Sequence, residues 1–134
     1  MGYEIEWVDP SLVVCRTSGP ASIEGYEAMM RALISDPKFR PGIGLIVDHT
    51  NVDVSALTAA DIEKVANLRT RFAGNVALRA AGVVGPGSPL RYGLGRMFEA
   101  FVELQPGTDI TLFETVEEAK AWLRGPDSAA RPAP

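Results

Sequence analysis

Strand-like apolar runs alternate with amphipathic segments of helical length, and this alternation constrains the fold more than any other feature of the chain. The chain opens with two strand-like segments, Tyr3–Val8 and Leu12–Thr17, joined by the turn residues Asp9-Pro10-Ser11, which predicts a β-hairpin. Each later apolar run is followed by a helical pattern, giving the order β-β-α-β-α-β-α-β-α. Because such alternation requires right-handed crossovers, we predict a single α/β domain with a mainly parallel sheet, an N-terminal β-hairpin and four helices.

Helix-capping residues mark where the four helices begin. The first helix is predicted from about Ser22 to Ser35, and Thr58 with Asp61 forms a variant of the capping box for the second. Ser88 followed by proline predicts the start of the third helix, and Thr115 with Glu118 forms a capping box for the fourth. On the third helix, the spacing predicts an inward stripe and an outward stripe. The inward residues include Leu90, Leu94, Met97, Phe98, Phe101 and Val102, and the outward residues are Tyr92, Arg96, Glu99 and Glu103.

Two continuous apolar runs, Ile43–Val47 and Val76–Val84, are typical of strands that are covered on both faces. We predict that they are neighbouring parallel strands with Val47 and Val83 in the core. The first run is expected to end at Asp48-His49, which places both residues in a loop. Cys15 lies in an apolar segment and is expected to be buried.

Composition excludes several function classes. The formal net charge is −4 and basic residues do not cluster, which argues against nucleic acid and anionic membrane surfaces as partners. One cysteine and one histidine predict no intrachain disulfide, no metal site and no cofactor. The chain lacks an N-terminal apolar leader and a run long enough to span a bilayer, so we expect a cytoplasmic protein. The domain is expected to cover residues 1–124, with a disordered tail rich in proline and alanine at 125–134.

Three segments carry a resemblance to a known family: Pro41–Asp48, Tyr92–Glu99 and Glu117–Leu123. Over nearly the whole chain to Leu123, the pattern resembles the STAS fold of anti-sigma-factor antagonists, and in particular the SpoIIAA-like (STAS/SEC14) proteins of bacteria. The resemblance implies regulation through protein contact, or binding of an apolar or lipid-like ligand. It does not imply an enzymatic activity.

The chain departs from that family at the regulatory phosphorylation motif. Phospho-regulated antagonists begin the helix after the central strand with an Asp-Ser-Ser-Gly type sequence, whereas this chain has Ala56-Leu57-Thr58-Ala59. Thr58 is the one residue of that stretch that could accept a phosphate. This departure puts regulation by phosphorylation-dependent partner switching in doubt.

A binding site in a parallel sheet is expected beyond the carboxyl ends of the strands. Those ends supply Asp48 and His49 on one side, and Ser88 with the start of the third helix on the other. That helix start has free N–H groups that attract an anion. We therefore predict a site formed by seven candidate residues: Asp48, His49, Thr58, Ser88, Arg91, Tyr92 and Arg96.

Gly93 and Gly95 lie inside the third helix, where each costs about 1 kcal/mol relative to alanine. Two explanations remain open. Either the missing side chains let a ligand or partner approach, or they let the helix pack closely on the sheet.

Three function classes remain open at this stage. The favoured one is a non-catalytic regulatory or binding module that acts through a protein partner or a small apolar or anionic ligand. The second is a small enzyme that uses Asp48 and His49 with Ser88 or Tyr92. The third is a homodimer formed along the hairpin edge or the third helix. The favoured class predicts that His49→Ala leaves stability nearly intact and removes no turnover.

Overall fold

The computed structural model describes residues 1–73, 78–104 and 108–125, and the element order in these ranges agrees with the predicted one. The predicted helix ends at Gly74-Asn75 and Pro106-Gly107 and the predicted tail from Pro126 onward lie outside the described residues. The strands are β1 (Gly2–Asp9), β2 (Leu12–Pro20), β3 (Gly44–Asp53), β4 (Leu78–Val83) and β5 (Thr108–Phe113). The helices are α1 (Ile23–Ser35), α2 (Ala59–Ala73), α3 (Pro89–Glu103) and α4 (Val116–Arg124).

The five strands form one sheet in the order β1-β2-β3-β4-β5. The hairpin pair β1–β2 is antiparallel, and the other three pairs are parallel. The β3–β4 register aligns Gly44 with Arg79 and Asp48 with Val83, which confirms that the two apolar runs are neighbouring parallel strands. Val83 is fully buried, as predicted, whereas Val47 is only partly buried because it borders a cavity.

β3 continues past the end that its apolar run predicted. Its pairing with β4 stops at Asp48, but its pairing with β2 resumes after an irregularity and runs to Asp53. His49 is therefore a strand residue, and the prediction that Asp48 and His49 lie in a loop was wrong. The polar run after Val47 forms a strand because β2 supplies the backbone partners, and its side chains need not be apolar beyond the edge of β4.

Helices cover both faces of the sheet, but unequally. Among the described residues, helices α1, α2 and α3 lie side by side on one face of the sheet, and α4 lies on the other. The first face packs α1 residues such as Met29 and Leu33 against Val13 and Leu45. The second face packs Ala119 and its α4 neighbours against strand residues that alternate with the first set: Leu12, Val14, Ile46, Ala81 and Val83. The period of two along each strand thus assigns one core to each face.

The predicted capping residues lie where the helices begin. Ser22, Ser88 and Thr115 each accept a hydrogen bond from a backbone N–H of the first turn, and Thr115 forms the full capping box with Glu118. Thr58 and Asp61 exchange reciprocal bonds at the start of α2. These caps satisfy N–H groups that would otherwise have no partner in the helix.

Two residues of α3 face the opposite way from the prediction. Leu90 was predicted on the inward stripe but is 51% exposed. Glu99 was predicted on the outer stripe but is only 8% exposed, and it pairs with Arg96 at 2.8 Å. Burial raises the pKa of Glu99, and the neighbouring Arg96 opposes this shift. Cys15 is fully buried, as expected.

Candidate functional site

A cavity of about 110 Å³ lies between the sheet and the three helices on its first face. Its walls come from α1, α2 and α3 on one side and from β3, β4 and β5 on the other. Most wall residues are apolar, and they include Met30, Leu45, Val65, Leu94, Phe98 and Leu112. A volume of this size exceeds the space of one water molecule several times over, and apolar walls favour an apolar occupant.

Tyr26 and His49 form a hydrogen-bonded pair at the cavity wall. The Tyr26 hydroxyl lies 3.2 Å from His49 Nδ1, and the two rings meet edge to face with centroids 5.8 Å apart. Burial lowers the pKa of His49 to about 4, with a further decrease from Arg91 that the Asp48 charge opposes. Burial also raises the pKa of Tyr26. Both groups are therefore neutral at pH 7, and the neutral imidazole has one nitrogen that donates and one that accepts a hydrogen bond.

Thr17 completes the environment of this histidine. Its hydroxyl lies 3.3 Å from His49 Nδ1 and 3.2 Å from the Asp48 carbonyl oxygen, to which it can donate. The Asp48 carboxylate points elsewhere, since its Oδ1 accepts bonds from the Thr50 amide at 3.0 Å and the Thr50 hydroxyl at 2.5 Å. Asp48 therefore orders the backbone of β3 and does not orient the imidazole.

Arg91 joins the start of α3 to the end of β3. Its Nη1 donates to the carbonyl oxygens of His49, at 3.3 Å, and of Thr50. Its backbone N–H donates to the Ser88 hydroxyl at 3.2 Å, which is the capping bond of α3. The Nε atom of Arg91 is buried and has no hydrogen-bond partner within the described ranges. Arg91 thus connects two elements of the cavity wall, with one donor unused.

Arg69 is the other charged residue in the wall, and it lies on α2. The whole residue is only 8% exposed, and its Nη2 has no hydrogen-bond partner among the residues that the structure describes. Burial lowers the pKa of Arg69 to about 10, so the guanidinium remains charged at neutral pH. Such a group is rare in protein interiors, where buried charges are normally paired.

Of the seven candidate residues, the structure brings His49 and Arg91 together at the cavity wall. Ser88 lies beside Arg91 as a helix cap. Tyr92 and Arg96 are exposed on the outer side of α3, Tyr92 by 53%.

Thr58 is exposed at the start of α2, where its hydroxyl accepts a bond from the Asp61 amide at 3.2 Å. Neither Thr58, Tyr92 nor Arg96 is among the wall residues of the cavity. No group of three metal-ligating side chains occurs in the described part of the chain.

Sequence reasoning missed Tyr26 and Arg69. Tyr26 lies on the buried face of α1, and nothing in the sequence indicates that its hydroxyl meets the histidine. Arg69 did leave a signal, because it follows Ile62, Val65 and Ala66 at the spacing of the buried stripe of α2. A basic residue at a position where the helical period requires an apolar one is a candidate for a buried functional charge.

Comparison with known proteins agrees with this architecture. No family model matches the chain, and no curated protein sequence matches it. Among solved structures, the chain is similar to the anti-sigma factor antagonist SpoIIAA in its unphosphorylated form. The two share 20% sequence identity with a TM-score of 0.56, and the similarity covers 92% of this chain and 99% of the other. The predicted fold class is confirmed, and the chain has the SpoIIAA-like STAS fold.

Proposed function

We propose that this chain is a non-catalytic binding module that takes a small, mainly apolar molecule into the cavity beneath α2 and α3. The observation that carries the proposal is the cavity itself, about 110 Å³ in volume and walled largely by apolar side chains. Protein interiors are otherwise close-packed, so a void of this size forfeits packing contacts and needs an explanation. A ligand that restores those contacts supplies one.

The polar groups near the cavity support binding over catalysis. His49 is held neutral by burial, and its Nδ1 already has a hydrogen-bond partner in Tyr26. Ser88, the nucleophile of the enzyme hypothesis, accepts the capping bond of α3. Tyr92 is exposed outside the cavity wall. The nucleophile and base of the enzyme hypothesis are therefore engaged in holding the fold.

A protein partner remains the second candidate function, and one observation favours it. Leu90 and Tyr92 expose about half of their surface at the start of α3, directly beside Arg91 of the cavity wall. The similar structure is that of an anti-sigma factor antagonist, which by its description acts on another protein. A ligand under α3 could thus change what a partner meets at Leu90 and Tyr92, and a second copy of this chain is one such partner.

We also propose that the module works in the cytoplasm, as expected from the sequence. No helix among the described residues is both long enough and apolar enough to cross a bilayer.

Phosphorylation-dependent switching is not part of the proposed function, since Thr58 stands without the surrounding motif and serves as a helix cap.

The test combines native mass spectrometry with a cavity-filling variant. Protein purified from its host is expected to carry a small non-covalent ligand, and 1-hexanol is expected to shift the methyl NMR signals of Val65 and Leu94. Val65→Phe fills the cavity from α2 and should abolish both the retention of the ligand and the hexanol-induced shift of the Leu94 methyl signals. Val116→Phe is the matched control, because Val116 is also a partly buried helix valine but packs on the other face of the sheet.

Binding that survives in Val65→Phe, or hexanol shifts that map to α4, would refute the cavity as the site. Retention of the ligand by Val116→Phe with loss in Val65→Phe would support it.

A further inference from the structure

The charged side chains described in the wall of the cavity are all positive. Of the described residues in its wall, the charged ones are Arg69 and Arg91, and none is a carboxylate. His49, the remaining titratable base, is neutral at pH 7. The chain as a whole has a formal net charge of −4, so this positive interior runs against its overall composition. An electrostatic preference for an anion follows from the Coulomb attraction of these two cations.

The two arginines differ in how their charge is satisfied. Arg91 donates to two backbone carbonyl groups of β3, so its position is explained by the fold. Arg69 differs, because its Nη2 is buried without a hydrogen-bond partner and no carboxylate among the described residues offsets the effect of burial on its charge. Removing an ion from water without pairing it is strongly unfavourable. The fold therefore leaves a cation at the cavity wall for which the described residues provide no anion.

We infer that the ligand of this cavity is a small monocarboxylate, with its carboxylate on Arg69 and its apolar body among the side chains of α1, α3 and the sheet. The guanidinium fork matches the two oxygens of a carboxylate, which gives this pair both strength and orientation. This inference rests on the proposed function, because it specifies the head group of the molecule that the cavity takes.

Cavity size limits the apolar body. A dry protein cavity of about 150 Å³ holds one benzene molecule. The cavity of about 110 Å³ is somewhat smaller. An apolar body of about six carbon atoms is therefore the expected size, with some adjustment of the wall. Flexible residues such as Met30 and Phe98 line the wall and can make that adjustment.

The experiment compares three six-carbon probes that differ in head group: hexanoate, 1-hexanol and hexylamine. Each is titrated into the full chain at pH 7 and constant ionic strength, and binding is followed through the methyl NMR signals of the cavity wall. Hexanoate is expected to bind at least about tenfold more tightly than 1-hexanol, and hexylamine least of all. Hexyl phosphate is added as a fourth probe, to separate a carboxylate preference from a general preference for anions.

Two variants test the role of Arg69. Arg69→Met keeps an unbranched apolar stem and removes the charged guanidinium, and it should bring the hexanoate affinity down to that of 1-hexanol. Arg71→Met is the matched control, since Arg71 lies on the same helix with 60% of its side chain exposed. The control should retain the full preference for hexanoate. Arg69→Met should also fold, because it exchanges a buried unpaired charge for an apolar group.

Failure of the head-group inference differs from failure of the cavity proposal. If 1-hexanol binds as tightly as hexanoate, or if Arg69→Met keeps the hexanoate preference, the inference is wrong and the cavity stands as an apolar site. Tighter binding of hexyl phosphate would overturn the assignment to a carboxylate. If none of the probes shifts the wall signals, the binding function falls as well. Loss of the preference in Arg69→Met alone supports the inference.

Discussion

Gly93 and Gly95 are two residues apart on α3 but face different surroundings, and alanine substitutions at the two sites should have opposite effects. A Cβ atom at Gly93 would meet no other atom within 4 Å. At Gly95 it would lie 3.0 Å from Leu112 Cδ1 and 3.2 Å from Val84 Cγ1. The stabilisation from the higher helix propensity of alanine is the same at both sites, so the difference in unfolding free energy between the variants measures the effect of packing.

The expected magnitudes follow from these distances. Gly93→Ala should stabilise the fold by up to about 1 kcal/mol, the helix-propensity difference between the two residues. Gly95→Ala gains the same amount but crowds its neighbours, and overpacking costs about 1–3 kcal/mol. The Leu112 side chain can rotate, whereas Val84 is β-branched and stiff. We therefore expect Gly95→Ala to destabilise the fold by roughly 1 kcal/mol, or about 3 °C in Tm.

Urea unfolding followed by circular dichroism measures both variants. The double variant Gly95→Ala/Leu112→Ala provides the control, because removing the Leu112 methyl groups should reduce the cost of the added Cβ. If both single variants stabilise the fold equally, close packing is not the reason for Gly95. If Gly93→Ala destabilises, the open surroundings assigned to Gly93 are wrong.

Three further predictions concern stability and reactivity. The pKa of His49 falls from 6.5 to about 4 on folding, so the unfolded chain binds more protons between these values and stability should decrease as pH falls through that window. The full decrease in the free energy of unfolding is on the order of 3 kcal/mol. His49→Gln should abolish this pH dependence, as measured by urea unfolding, since the chain has one histidine. Thr115→Ala, which breaks the capping box of α4, should cost about 1 kcal/mol in the same assay. The Cys15 thiol, buried and with its pKa raised to about 12, should react with a thiol reagent only at the rate of unfolding; fast labelling of native protein would contradict this.

The structure predicts a different effect of His49→Ala on stability from the one that the sequence predicts. A loop histidine would tolerate substitution, and His49→Ala was expected to leave stability nearly intact. In the structure, Tyr26 and Thr17 both lie within hydrogen-bonding distance of Nδ1, so alanine would leave the buried Tyr26 hydroxyl without this hydrogen-bond partner. An unsatisfied buried polar group of this kind costs about 1–3 kcal/mol. The two expectations are separable by the unfolding measurement already described.

Element type and order could be predicted because they depend on local patterns. Apolar periodicity identifies strands and helices, and capping residues such as Ser22 and Thr115 mark helix starts independently of tertiary contacts. The extension of β3 to Asp53 could not be predicted in this way, since a polar run becomes a strand only through its pairing with β2. The burial of Glu99 is also tertiary, because it depends on the elements that pack against α3, which include α2 and β5.

The candidate site was predictable only in part, for a related reason. Position at a strand end identified His49, and position at a helix start identified Arg91, and the structure places both at the cavity. A cavity, however, is a space between several elements, and the residue pattern of any one segment does not predict it. Arg69 could have been identified from the sequence, because it is a basic residue at a position where the helical period of α2 requires an apolar one.

The unequal covering of the sheet has a consequence for how the chain is made. Strands β2 to β5 lie in chain order, so each new strand and helix can join its finished neighbour as synthesis proceeds. The first face therefore acquires its helices one at a time. The second face, with Leu12, Val14, Ile46 and Val83, receives its cover only when α4 leaves the ribosome. Until then a nascent chain exposes a broad apolar surface of the kind that chaperones recognise. A ribosome paused before Val116 would keep the domain in this aggregation-prone state.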